Sequence, residues 1–582
     1  MPRFVAKHFI DPPSWEEIQQ CFPNIQDIQR KTLPLNTKRV GKGSIEKLKN
    51  LESYSKECKE FLVEALRILW DSEMYENQTK DYEPKPIQKP SLSKYELSML
   101  EDYKFEKASK NPRWGVYAFK VAEPHKSRCR CIFDCAVNQA FLTTPKYNLK
   151  NKTTIRKEFI KNSLDWIFIQ FDFRSFYDQF WLNVEVRRFF GFYGHDDMPY
   201  WLLLLPMGFR LAVAAAQATM WQFLNFKFSD KVNATTCIDN VCFSGPRAQV
   251  YETINIFLTR VMQCEFTLNG FENSKFLSMS NEEKHALFKS LEEEEPEFLG
   301  EKYFFKQEKR CITEKTIKKL NVVWTVLKKE LAAKSQKKNI TCRQFFCLIG
   351  VLVYCTEILD INTHYLFNIF KKIRNISGYL TKNEDKWDSD LILNLSSNEF
   401  SIIEKWVNTV LVNTPVQMTA GRKDIPPLNK MDIYIVLDAS RWGWGALYFD
   451  EHRKYKFFIN GAWPHDKYES SVKAEPEGIE RVVAKWKHYL KGKSIAVCTD
   501  HENLVHASKA LFVHSYTYNK CLSYLRRVEK EESCRISLFF LEGKKNNADS
   551  ISRGATKVVN FAFPLDVEGS GLTSASLSPW QI

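Results

Sequence analysis

Apolar and polar positions change period several times along the chain, and each change marks a candidate element. From Trp114 onward short strand-like runs, VYAFKVA and CRCIFDCAV, carry interleaved Lys120, Lys126, Arg128 and Arg130, which predicts a basic two-stranded element. A strand over IFIQFDF follows, then a strand-like run FFGFYG and an alanine-rich helix over LAVAAAQATMWQFLNF. TTCIDNVCFSG predicts a hairpin with its tight turn at Asp239-Asn240. The acidic stretch ending EEEEPEF reads as a solvated surface insertion. Ile317, Leu320, Trp324, Leu327 and Leu331 then recur at helical spacing among many lysines, predicting a helix that either tracks a phosphate backbone or faces solvent. After the linker NTPVQMTAGRKDIPPLNK, the run DIYIVLDAS opens a separate α/β unit that extends to about Gly554. Residues 1–105 and the tail after Gly554 carry no chemical motif.

Composition narrows the function class. The 582 residues, at about 150 per domain, predict several cores. Apolar residues make up 44% and charged residues 26%, which excludes wholesale disorder. Lys and Arg number 84 against 70 Asp and Glu, a net +14, and 14% of residues are aromatic. A polyanion that offers bases to stack on is the expected partner, ahead of an anionic membrane surface. The 15 cysteines form no CxxC pair and the N-terminus lacks a signal-peptide core, so reduced thiols and an intracellular location, cytoplasmic or nuclear, are expected rather than secretion. The longest apolar run, Phe345 to Cys355, falls well short of the roughly 20 residues that span a bilayer, so no membrane partner is expected.

Two constellations of carboxylates carry the candidate chemistry. Polynucleotide synthesis uses two divalent cations held by acids on a rigid base. Asp172 closes the apolar run IFIQF, where a charge has no packing purpose, and Asp239 sits at the hairpin tip in the same unit. In the C-terminal unit Asp438 ends DIYIVLD, Glu477 lies on a predicted helix, Asp500 ends SIAVCTD and Asp549 precedes ISRG. Strand, helix, strand and helix would bring these four acids to one cleft, where a two-metal site can hydrolyse a phosphodiester.

The phrases around these acids resemble a known family. FDFRSFYDQF resembles the first catalytic motif of reverse transcriptases, LPMGFRLAVAAAQ their second and CIDN their YxDD hairpin, while TLNG, FLG and QFFCLIGVLVYC resemble the fourth motif, the primer grip and the thumb helix. LDASRWGWGALYF, TDHENL and GKKNNADSISR are similar to the ribonuclease H of retroelements. The order of parts resembles retrotransposons of the tyrosine-recombinase type, DIRS-like or VIPER-like.

The resemblance implies an α/β and α+β multidomain chain, a right-hand polymerase of fingers, palm and thumb followed by a ribonuclease H-like α/β domain. Its expected parts are an N-terminal region at 1–105, fingers and palm at 106–310, thumb and connection at 311–428, ribonuclease H at 429–555 and a tail at 556–582. It implies metal ligation and catalysis by Asp172 and Asp239, and by Asp438, Glu477, Asp500 and Asp549, each site holding two Mg²⁺ ions, or Mn²⁺ in their place. Tyr177 would gate the incoming sugar, Arg130 with Lys120 would hold the dNTP, and Gln217 would face the nascent pair. Gly208, Phe298 and Gly300 would contact template and primer. The implied activity is RNA- and DNA-directed DNA polymerase with hybrid-specific ribonuclease H, serving a retrotransposon. Its partners would be RNA template, DNA primer, RNA:DNA hybrid and dNTPs, with capsid and recombinase or integrase on other chains. Asn240 stands where the family has a second Asp, so the alternative is a domesticated or decayed copy that binds RNA as a scaffold. Trp442 and Trp444 are expected to pack the ribonuclease sheet.

Overall fold

The computed structural model describes residues 32–84, 87–123, 126–160, 165–418, 427–464, 470–508, 513, 515–555 and 562–564. The chain divides into two compact units, one ending at Lys309 and one beginning at Arg310. All of residues 1–31, the centre of the predicted linker and most of the C-terminal tail lie outside the described residues.

The first unit buries one large core of aliphatic and aromatic side chains. Helix α1 (Lys56–Leu66) packs there, and strand β1 (Phe105–Lys107) leads into the basic ribbon of β2 (Val116–Glu123) and β3 (Arg128–Cys135). That ribbon is antiparallel, with Val121 opposite Arg130. Helix α2 (Lys152–Glu158) precedes β4 (Trp166–Asp172), the apolar strand whose last residue is the predicted acid. β5 (Gly191–Tyr193) pairs with β6 (Pro199–Leu202), which pairs in turn with β1; the sequence pattern had marked only the first of these two neighbours. Helix α3 (Ala212–Phe223) is the alanine-rich segment, and nearly all of its residues are buried.

β7 (Asn233–Cys237) and β8 (Asn240–Pro246) form the expected hairpin, and β4 lies antiparallel to β8 with Asp172 opposite Asn240. The turn falls one residue earlier than predicted. Cys237 pairs with Asn240, so Ile238 and Asp239 make the turn, and Ile238, not Asn240, takes the positive φ of 57°. A β-branched residue there is strained, and such strain persists only where the surroundings enforce it. Gln217 of α3 enforces it here, accepting the Ile238 N–H at 2.8 Å and donating to Thr236 Oγ1 at 2.9 Å.

Helix α4 (Arg247–Gln263) covers this sheet, and a short hairpin of β9 (Glu297–Phe298) and β10 (Glu301–Phe304) turns through Leu299 and Gly300, both at positive φ. The acidic stretch before it departs from the solvated insertion expected. Glu292 bonds Arg247 and Tyr251, while the Glu293 amide donates to the Phe168 carbonyl and its side chain accepts from Gln170.

In the second unit, α5 (Glu314–Ala332) buries Leu320, Trp324, Leu327 and Leu331 as the spacing predicted. It packs with α6 (Cys342–Ile358) and α8 (Ser397–Val412), and α7 (Phe367–Lys382) lies between those two in the chain. A five-stranded mixed sheet follows, built from β11 (Ile433–Ala439), β12 (Gly443–Phe449), β13 (Tyr455–Ala462), β14 (Ser494–Thr499) and β15 (Arg535–Phe540). Their order is β13-β12-β11-β14-β15, antiparallel through β11 and parallel beyond it. Helices α9 (Ser471–Trp486) and α10 (Tyr516–Glu532) bury apolar stripes in the core that covers this sheet. Trp444 is buried as expected, whereas Trp442 is 54% exposed on the β11–β12 loop. Among the described residues no helix is long and apolar enough to cross a membrane.

Candidate active sites

The first site is set by the register of β4 on β8. Because Asp172 is opposite Asn240, the hairpin turn that carries Asp239 lies beside the end of β4, and the Phe173 amide donates to the Asp239 carbonyl at 3.0 Å. Asp172 is exposed at the strand end, yet surrounding protein raises its pKa by desolvation, and the charge of Asp239 raises it further. Burial also raises the pKa of Asp239. Each acid receives a side-chain amide donor: Asn269 Nδ2 bonds Asp172 Oδ2 at 2.8 Å, and Asn240 Nδ2 bonds Asp239 Oδ1 at 3.0 Å.

Tyr177 stands on a 3₁₀ turn (Phe176–Gln179) after β4, half-buried and close enough to Asp239 that this charge adds to the burial holding the phenol protonated. Lys126 and Arg130 are the cations whose charges favour ionised Asp172 and Asp239. Arg130 is paired with Glu123.

The remaining predicted residues have other surroundings. Lys120 is bound by Glu96, 2.5 Å away, whereas Lys126 acts on both acids alongside Arg130. Gln217 is fully buried with both ends of its amide engaged by the hairpin, so it shapes the turn from behind. Gly208 packs against protein: a Cβ there would lie 2.2 Å from the Phe133 carbonyl oxygen. Phe298 is buried against Phe159, and Gly300 completes the β9–β10 turn.

The second site lies at the carboxyl ends of β11 and β14. Asp438, Glu475 and Asp500 can each offer one oxygen to a common point, those oxygens lying within 4.8 Å of one another. Glu475 replaces the predicted Glu477. On α9 the buried stripe runs through Ala474, Glu475, Gly478, Ile479, Val482, Val483 and Trp486, which turns Glu477 away to pair with Arg481 at 2.7 Å. Glu475 accepts from the Ala439 amide at 2.7 Å and from Thr499 Oγ1 at 2.9 Å.

Crowding perturbs all three acids. Burial, then the charges of Asp438 and Asp500, pushes Glu475 up to about 8. Asp438 is pushed up to about 6, chiefly by burial, although Ser552 Oγ donates to it at 2.5 Å. Asp549, half-exposed on the one-turn helix α11 (Asp549–Ser552), adds repulsion to Asp438 and Asp500 and pairs with Arg553. Gly445 lets this turn approach the sheet, since a Cβ there would meet the Ser552 nitrogen at 2.7 Å. Three close carboxylates, with only the more distant charges of Arg553 and His501 to offset them, suit a hard divalent cation bound through oxygen.

Residues 429–520 match the family described as the RNase H-like domain found in reverse transcriptase. No curated protein matches the chain. Among solved structures, the foamy viral protease-reverse transcriptase dRH in complex with double-stranded DNA is 12% identical, with a TM-score of 0.42 over 87% of this chain and 83% of that one. The foamy viral protease-reverse transcriptase with an RNA/DNA hybrid is 13% identical, TM-score 0.41, over 86% and 62%. With dsDNA it is 13% identical, TM-score 0.42, over 87% and 99%. The segment similar to the RNase H-like family holds Asp438, Glu475 and Asp500, so the likeness in sequence and the acid cluster fall on the same residues.

Proposed function

We propose that the chain is a reverse transcriptase with ribonuclease H activity, copying RNA and DNA into DNA and degrading the RNA of the resulting hybrid. The observation that carries this reading is the placement of Asp172 and Asp239 side by side on β4 and the β7–β8 turn, with Tyr177 and two cations around them. In this reading residues 106–310 are fingers and palm, 311–428 thumb and connection, and 429–555 the nuclease.

The donor sets of both sites are carboxylate oxygens, which fits magnesium. When bound, the ions would activate the attacking oxygen and steady the leaving one. Asp172 and Asp239 would hold them at the first site; Asp438, Glu475, Asp500 and Asp549 would do so at the second. Lys126 and Arg130 would receive the triphosphate, with guanidinium geometry suited to bidentate contact once Arg130 leaves Glu123. The ring of Tyr177 would occupy the space that a 2′ hydroxyl needs. Thr499 and the Ala439 amide would orient Glu475, and Ser552 would orient Asp438. Template, primer, hybrid and dNTPs are the expected partners, within a mobile element of the DIRS-like or VIPER-like kind.

Primer extension on an RNA template tests the reading, with Asp172→Asn as control, alongside cleavage of an RNA:DNA hybrid with Asp438→Asn as control. Metal-dependent extension lost in Asp172→Asn is expected. Binding without extension by the unaltered protein would favour the scaffold alternative that Asn240 raises.

A further inference from the structure

We infer that the segment Asn36–Gly43, Asn-Thr-Lys-Arg-Val-Gly-Lys-Gly, is a strap that binds the phosphate backbone of a nucleic acid strand. The inference takes the identity of the polyanion from the function proposed above and adds a surface outside both acid sites.

Backbone bonds hold the strap extended. Cys129 of β3 donates to the Pro34 carbonyl and accepts from the Asn36 amide, each at 2.7 Å, so the chain enters alongside the basic ribbon. At the other end Gly43 donates to the Gln179 carbonyl at 2.9 Å and Ser44 to that of Cys264 at 2.7 Å. The strap therefore joins the strand that carries Arg130 to the 3₁₀ turn that carries Tyr177. Midway the Val40 amide donates to Tyr103 Oη at 3.1 Å.

Lys38, Arg39 and Lys42 are all exposed on this strap, which contains no acid. The Arg39 guanidinium lies over the Tyr103 ring at 5.6 Å and the Lys42 ammonium over the Trp181 ring at 5.5 Å. Aromatic faces of this kind position a cation without neutralising it. Among the described residues no carboxylate pairs with any of the three, although Lys47, a few residues on, pairs with Glu265. Asp178, the acid packed into this corner, is already bound by Lys104 at 2.7 Å and by Tyr103. Three exposed cations, two of them seated on aromatic rings, on a backbone anchored at both ends beside the strand bearing Arg130, match the repeating charge of a phosphodiester chain.

The test uses the full chain in EDTA, without dNTPs, binding labelled single-stranded RNA or a labelled DNA duplex over a range of salt. The variant is Lys38→Ala/Arg39→Ala/Lys42→Ala, with Lys38→Arg/Arg39→Lys/Lys42→Arg as the charge-conserving control. Three lost contacts should lower the slope of log affinity against log salt by about 2 on a single strand or about 3 on a duplex, at roughly 0.7 and 0.9 per contact. The arm that loses slope identifies the form bound, and the control should keep the full slope. Unchanged slope and affinity in the alanine variant on both substrates would overturn the inference, as would an equal loss in the control. Primer extension is scored separately: failure of the unaltered protein to extend would count against the polymerase assignment and leave the salt result standing.

Discussion

Asn240 donates its side-chain amide to Oδ1 of Asp239 at 3.0 Å from the strand position just after the turn. It is also the cross-strand partner of Asp172. The residue where the resembled family carries an acid therefore bonds one acid of this site and faces the other. A carboxylate in its place would bring a third negative charge into the site. The gross attraction of such a charge to a divalent ion 4 Å away is roughly 8 kcal/mol at an effective dielectric of about 20, most of it cancelled by desolvation. Asn240→Asp should lower the magnesium concentration for half-maximal extension by about tenfold, equivalent to ~1.4 kcal/mol. A magnesium titration of extension rate checks this, and an unchanged midpoint would count against it.

Asn269 does for Asp172 what Asn240 does for Asp239, and its side-chain bond opposes the upward push of burial and of Asp239 on the Asp172 pKa. Removing the donor takes stabilisation from the ionised form only, so the pKa rises further. For Asn269→Ala the acid limb of the extension rate should move to higher pH. A bond to a charged group contributes about 1.5–3 kcal/mol, so the loss should be on the order of tenfold at pH 6 and smaller at pH 8. Equal losses at both pH values would point to a fold defect instead.

Glu475 and Glu477 differ in helical phase, and the cleavage assay can tell them apart. Loss of a partner that merely orients a ligand costs roughly 10–100-fold, and loss of a ligand should exceed that. Glu475→Gln should therefore reduce hybrid cleavage by more than about a hundredfold, and Glu477→Gln, at a half-buried carboxylate that pairs with Arg481 outside the acid cluster, by less than about threefold. Reversal of that order would remove Glu475 from the site.

This contrast shows what the sequence could and could not convey. Asp438 and Asp500 were legible because each ends an apolar strand, where a charge has no packing role, and both lie in the acid cluster. Glu475 left a signal in the apolar residues at i+4, i+7, i+8 and i+11, Ile479, Val482, Val483 and Trp486, with which it shares a helix face. Glu477 is out of that phase. The hairpin turn was legible as a turn but not in its register, because local preference argues against a β-branched residue at positive φ. Gln217, distant in sequence, stabilises the arrangement that Ile238 adopts. Lys126, between β2 and β3, could not be singled out from the cations of those two strands, since proximity to the acids depends on how the ribbon packs.

Gly208 tests the packing account of the second motif. A Cβ at this position would sit 2.2 Å from the Phe133 carbonyl, a backbone atom that cannot rotate away. Gly208→Ala should cost about 1–3 kcal/mol through overpacking, seen as a lower denaturant midpoint. A stability unchanged within about 0.5 kcal/mol, with template affinity alone reduced, would assign the glycine to template contact instead.

The acid cluster of the second unit also sets a pH dependence of stability. Glu475 titrates near 8 folded against an ordinary 4.5, and Asp438 near 6 against 3.8. Between the ordinary and raised values the folded chain binds more protons than the unfolded one, so unfolding free energy falls as pH rises. Metal-free protein should therefore be most stable near or below pH 4.5 with respect to these two groups and lose stability up to pH 8, by an amount on the order of a few kcal/mol. Magnesium, binding the ionised acids, should restore more stability at pH 8 than at pH 5. Calorimetry of the full chain with and without magnesium measures both effects. In Glu475→Gln the metal-free slope between pH 6 and 8 should flatten; a slope unchanged in that variant would place the titration elsewhere.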